Sequence, residues 1–112
     1  TIQLQTLNNY MTSNEIKQID LLKIDTEGNE KKVLLGAKNF LQPNYIKAIQ
    51  FEYGGTYLDA GITLAEVVQM TMNKGYSVGK LRENGIDYKD ELGAFIEDYI
   101  YSNYVATDKK VV

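Results

Sequence analysis

The sequence predicts an α/β fold. Short apolar runs of strand length alternate with segments whose apolar residues recur at helical spacing, and acids gather where one such run hands over to a helix. Residues Ile19 to Glu30, IDLLKIDTEGNE, show both features. Ile19, Leu21, Leu22 and Ile24 are apolar on both alternating faces and too few for a free-standing helix, which predicts a buried, parallel strand. Asp25, Glu27 and Glu30 follow around Gly28. Val33, Leu34, Ala37, Phe40 and Leu41 then repeat along one helix face, with Pro43 as the stop. In open α/β sheets ligands bind outside the carboxyl ends of the strands, so this junction is the first place to look for a site.

The remaining elements follow in order. Thr1 to Gln5, with Ile2 and Leu4 on one side, predicts a short strand; Leu7, Tyr10 and Met11 fall at helical spacing, and Asn14 marks a break. Ile46 to Tyr53 (IKAIQFEY) is a second apolar strand, closing in Gly54-Gly55, with Glu52 as its only acid. Thr63 and Glu66 form a T-x-x-E capping box, announcing a helix with Leu64, Val67, Val68 and Thr71 on its inner face and Gly75 as its C-terminal cap. Tyr76 to Leu81 predicts a third strand, Asn84-Gly85 a turn or hairpin, Asp90 to Asp98 a loop or short helix, and Tyr99 to Thr107 a final strand. Right-handed βαβ units ending in one or two antiparallel strands are the economical topology.

At 112 residues the chain makes a single domain, residues 1–112, with a modest core. Its 44% hydrophobic and 24% charged residues exclude a disordered or membrane class. A net charge of −3 without a basic stripe gives a nucleic-acid partner no electrostatic support. Apolar runs fall short of the ~20 residues that span a bilayer, so no membrane partner is expected. The absence of Cys excludes disulfides and thiolate chemistry; the absence of His removes the commonest zinc ligand and any Ser-His arrangement. A cytoplasmic location is the default expectation.

Chemistry must then run on carboxylates, lysines, tyrosines or a bound cofactor. The Asp25 to Glu30 loop fails the EF-hand spacing, since Gly28 is its fourth position and Gly36 its twelfth; a hard cation held by Asp25 and a second carboxylate stays open as an alternative. Glu30 is expected to sit at a helix start, where Glu30→Gln would cost a few tenths of a kcal/mol. Asp25, ending a buried strand, needs a partner. If the first two apolar strands are neighbours, Asp25 and Glu52 open onto one crevice, where they could hold a hydroxyl or act as general base. The bland reading of Glu52, a partner of Lys23 or Lys47, carries equal weight. Tyr53, Tyr57, Tyr99, Tyr101 and Tyr104 are expected as core and rim. No G-x-G-x-x-G and no Walker loop is present.

From Ile19 to Leu41 the sequence resembles the FkbM-type family of S-adenosylmethionine-dependent methyltransferases, whose hallmark is a strand ending in K-I-D-x-E-G, then an acid, then a helix with L-x-G-A. The matching positions are Lys23, Ile24, Asp25, Glu27, Gly28, Glu30, Leu35, Gly36 and Ala37. The likeness extends to Leu7-Asn8, IKAIQFEYG, Gly75-Tyr76 and NYVAT. It implies a partial Rossmann-like methyltransferase sheet, strands 4-5-7-6 of the order 3-2-1-4-5-7-6, mostly parallel with an antiparallel last strand. The chain would then be the C-terminal half of such a domain, without the N-terminal cofactor-binding half, and inactive alone. The intact enzyme would use S-adenosylmethionine to methylate a hydroxyl of a sugar or secondary metabolite, a small-molecule or glycan acceptor. Asp25 first and Glu52 second would take the hydroxyl proton, while Glu27 would orient the acceptor or the cofactor's amino group. No metal is implied. The rival is a non-catalytic α/β interaction module. A first strand stripped of its outer neighbour favours pairing as a symmetric homodimer through the exposed edge.

Overall fold

The computed structural model describes residues 6–26, 28–37 and 40–108. The expected strand at Thr1 to Gln5 and the side chain of Glu27 lie outside them. The element order is α1 (Leu7–Ser13), β1 (Leu22–Ile24), α2 (Glu30–Leu35), β2 (Ala48–Tyr53), α3 (Thr56–Ala60), α4 (Leu64–Met72), β3 (Ser77–Arg82), β4 (Gly85–Lys89), a 3-10 turn at Leu92–Ala94 and β5 (Ser102–Thr107). Among the described residues the strands form one open five-stranded sheet in the order β1-β2-β5-β3-β4.

β1 and β2 are parallel neighbours, with Ile24 opposite Phe51. β5 enters antiparallel between β2 and β3, and β4 is the antiparallel hairpin partner of β3. The sheet is therefore mixed rather than mostly parallel: β1 and β2 pair in parallel, whereas β5 is antiparallel to both its neighbours and β4 folds back antiparallel on β3. β2 and β3 both oppose β5, so they run in the same direction as each other and as β1. The carboxyl ends of β1, β2 and β3 thus share one end of the sheet.

Strict alternation along β2 buries Ile49, Phe51 and Tyr53 and leaves Ala48, Gln50 and Glu52 half-buried. The buried face packs against Leu34 of α2 and Leu64, Val67 and Val68 of α4, the centre of the core. α4 starts as its sequence dictates: Glu66 N–H donates to Thr63 Oγ1 at 3.1 Å while Glu66 Oε2 accepts from Thr63 N–H at 2.7 Å. Its inner face, Leu64, Val67, Val68 and Thr71, is buried as the spacing requires. Gly75, beyond the cap residue Asn73, adopts φ 100 and closes the turn.

Four expectations change. The helix after β1 ends at Leu35, before Pro43, because Gly36 takes the C-cap position; Ala37 and Leu41 reach the core from tight turns instead. β1 is shorter than Ile19 to Ile24 and is not buried on both faces: Ile19 contributes an isolated bridge to Ile46, and Leu21 is 56% exposed. An edge strand has a neighbour on one side only. The hairpin turn is displaced by one residue, since Arg82 pairs with Gly85 and places Glu83-Asn84 at the tip. α3 was not foreshadowed by the sequence; it follows Gly54-Gly55 and buries Tyr57.

Candidate functional site

The acid-rich loop after β1 is organised from inside by Glu30. This side chain, expected at an exposed helix start, is fully buried. Its Oε2 accepts from Thr26 N–H at 3.1 Å and Thr26 Oγ1 at 2.7 Å, and its Oε1 accepts from Gly28 N–H at 2.9 Å. A buried carboxylate is tolerable when donors surround it, and here the donors are the loop's own main chain. Gly28 lets the loop close. It has φ 103, and a Cβ there would lie 2.9 Å from the Thr56 carbonyl oxygen, so the loop rests directly on α3. Lys31, one position on, pairs with Glu66 at 3.2 Å and ties α2 to α4.

Asp25 is exposed, so the argument from a buried strand end does not apply to it. The acid that burial makes costly is Glu30, one helix start further on. Glu52 is half-buried at the end of β2 and accepts a hydrogen bond from Tyr101 Oη through its Oε1 at 2.8 Å. Neither lysine proposed as its partner fills that role; Lys47 pairs with Asp20 at 3.5 Å.

Between these groups, at the carboxyl ends of β1 and β2, lies a cavity of about 250 Å³ lined by Glu30, Glu52, Tyr53, Gly54, Gly55, Thr56, Tyr99 and Tyr101. The crevice expected between two neighbouring strand ends is present. Its carboxylates are Glu30 and Glu52, and Asp25 is not among its lining residues. Among the described residues no group of three or more acids is placed to hold a metal ion. A larger cavity of about 550 Å³ beside α1 is lined by Met11, Thr12, Glu15, Ile16, Lys17, Phe40 and Tyr45, none of them in the loops that follow β1 and β2.

The far wall is a loop, residues 95–101, anchored by Glu97. Its Oε2 accepts from Leu64 N–H at 3.0 Å and from Tyr53 Oη at 3.1 Å, and its Oε1 from Ala65 N–H at 2.9 Å. Glu97 thus satisfies the orphan N–H groups that open α4. Tyr53 Oη in turn accepts from Tyr99 N–H at 2.9 Å, which holds Tyr99 at φ 57, a conformation unusual for a side chain of this size. Tyr53, Tyr57 and Tyr104 are core and Tyr99 and Tyr101 are rim, as expected. Burial pushes the Tyr53 hydroxyl up to about 12. Burial, followed by the nearby charge of Glu30, raises Tyr57 further, and its buried Oη has no hydrogen-bond partner among the described residues.

The short-range parts of this site were present in one motif. Glu97 and Tyr101 were missed as site residues; they act over 32 to 49 residues of separation. A strand-end crevice walled by carboxylates and tyrosines on an open α/β sheet is the candidate ligand site of an α/β domain. The family model described as Methyltransferase FkbM domain matches residues 1–99, and the chain belongs to that family. No curated protein and no solved structure matches the chain. Among the described residues no helix is long and apolar enough to cross a membrane.

Proposed function

We propose that this chain forms the acceptor side of an S-adenosylmethionine-dependent O-methyltransferase domain, acting on a hydroxyl of a sugar or secondary metabolite. The observation that carries the proposal is the cavity between the ends of β1 and β2, with Glu52 in its wall, in a member of a methyltransferase family. The observed order β1-β2-β5-β3 supports an assignment to strands 4-5-7-6 of a Rossmann-like methyltransferase sheet.

When bound, the cofactor supplies a methyl group activated by its sulfonium. The residues that line the cavity fit that end of it: carboxylates suit a cation, and tyrosine rings attract one. At about 250 Å³ the cavity is below the ~300–1,000 Å³ of ligand pockets, so it holds only part of a cofactor. This supports the half-domain reading, in which the cofactor's remaining contacts come from outside these residues. Glu52 is the preferred general base. Tyr101 occupies Oε1 and leaves Oε2 to accept the acceptor's proton, which holds the oxygen in line for displacement. Asp25 follows as second choice and Glu27 keeps its orienting role as a proposal. β1, at the sheet edge, is proposed to pair as a symmetric dimer, checked by sedimentation over a wide concentration range.

Transfer of labelled methyl from S-adenosylmethionine by the full protein to a panel of hydroxylated acceptors is the test. Transfer to oxygen supports the proposal; a full protein that binds no S-adenosylmethionine favours the interaction module. The half-domain reading also predicts no saturable heat when S-adenosylmethionine is titrated into residues 1–112 alone, and saturable heat would overturn it.

A further inference from the structure

A second cavity, of about 350 Å³, opens on the β3–β4 hairpin and is lined by Lys80, Arg82, Asp87 and Lys89 on one side and by Phe95 and Tyr104 on another. The pleat explains the charges: Lys80 and Arg82 are two apart on β3, Asp87 and Lys89 two apart on β4, and Lys80 stands opposite Asp87. Three cations therefore face one carboxylate. Arg82 and Lys89 share that carboxylate, at 3.3 Å and 3.4 Å, while Lys80 forms no ion pair among the described residues. The two shared pairs are half-exposed, the kind that contributes little, so Arg82 can turn to a ligand at small cost. Its planar fork matches a carboxylate or phosphate in two-point contact. Behind the charges, the rings of Phe95 and Tyr104 meet at 6.0 Å and are both buried, giving an apolar wall.

We infer that this pocket binds an oxyanion carried on a ring or other apolar body, and that it seats the acidic end of the acceptor whose hydroxyl reaches Glu52. The second part rests on the methyl-transfer reading above. β2 and β3 run in the same direction, so the Arg82 end of one strand and the Tyr53 end of the other lie at the same end of the sheet. The loop 95–101 lies between the two cavities, with Phe95 and Ile96 walling the basic one and Tyr99 and Tyr101 the acidic one. Acid and base are thereby sorted: an anionic group is repelled from the Glu30–Glu52 cavity and drawn to Lys80, which orients the acceptor before any contact is made. A polyanion is a poorer fit, because the chain's net charge is −3 and the sequence shows no dense run of cations beyond the three gathered on this hairpin.

The experiment is a nitrogen-15 NMR titration of the chain with phenyl phosphate, benzoate, inorganic phosphate and phenol. Phenyl phosphate or benzoate is expected to shift the Lys80 to Lys89 and Phe95 to Ile96 amides saturably, inorganic phosphate more weakly, and phenol not at all. Lys80→Gln combined with Arg82→Gln should weaken that binding about tenfold or more, and Lys89→Gln alone by less, while Lys47→Gln on the exposed Asp20 pair changes nothing. Absence of saturable shifts, or equal binding by the double variant, would overturn the pocket; equal affinity for inorganic and phenyl phosphate would overturn the apolar body. No S-adenosylmethionine is involved. Binding here without methyl transfer would sink the transfer reading alone, and transfer to neutral acceptors without binding here would sink this proposal alone.

Discussion

The two loops that wall the acidic cavity are each held by one glutamate accepting main-chain N–H groups, yet they differ in reach. Glu30 bonds to residues two and four positions before it and is fully buried. Glu97 is exposed and bonds to groups 32, 33 and 44 residues away. The first loop closes through local bonds from Thr26 and Gly28 to Glu30, and Gly28 then rests on α3. The second exists only after α4 and β2 are in place, so it is the part of the site that should open first.

That difference ranks the effects of substitution. Glu30→Ala leaves the buried Gly28 N–H and the half-buried Thr26 N–H and hydroxyl without their acceptor, at about 1–3 kcal/mol for a buried group and less for a half-buried one, so a total near 3 kcal/mol is expected as a lowered urea midpoint. Retention of wild-type stability would show that water replaces the carboxylate and that the loop is not organised from within. Gly28→Ala should cost about 2 kcal/mol, because φ 103 strains any side chain and the new Cβ meets the Thr56 carbonyl. Glu97→Ala removes an exposed cap worth about 1 kcal/mol, and hydrogen exchange at Tyr99 and Leu64 should accelerate while Thr26 and Gly28 stay protected. Equal acceleration at both loops would erase the distinction.

Alkaline pH sharpens it further. Tyr53 rises from 10.0 to about 12 on folding, so between those values the unfolded chain has lost its proton while the folded chain keeps it. Stability contributed by the buried phenol is complete below pH 10 and lost as pH rises through the folded value. Tyr53→Phe should therefore flatten the alkaline unfolding profile in that window and loosen only the 95–101 loop.

The same contrast explains what the sequence disclosed. The capping box at Thr63 and Glu66 and the inner face of α4 depend on neighbours three and four apart, so both were legible. The strand ends and the choice of Glu52 followed from apolar runs ending in acids. Glu30 was misjudged because the same letters suit an exposed helix start, and only the fold reveals that its carboxylate turns back into the loop. Glu97 and the Tyr101–Glu52 bond were invisible, since nothing local announces a partner 32 to 49 residues distant. The antiparallel insertion of β5 between β2 and β3 was anticipated only by resemblance; periodicity alone predicts strands and not their neighbours.

In the proposed function Glu52, rather than Asp25, is the group assigned to meet the acceptor, because Glu52 lines the cavity and Asp25 does not. Turnover of Glu52→Gln and Asp25→Asn in the full protein, with labelled S-adenosylmethionine and one accepted hydroxyl substrate, tests this most directly. Loss of a general base should lower kcat by about 10²–10⁴-fold in Glu52→Gln with little change in cofactor affinity, and Asp25→Asn should lose much less. Wild-type turnover in Glu52→Gln, or a larger loss in Asp25→Asn, would contradict it.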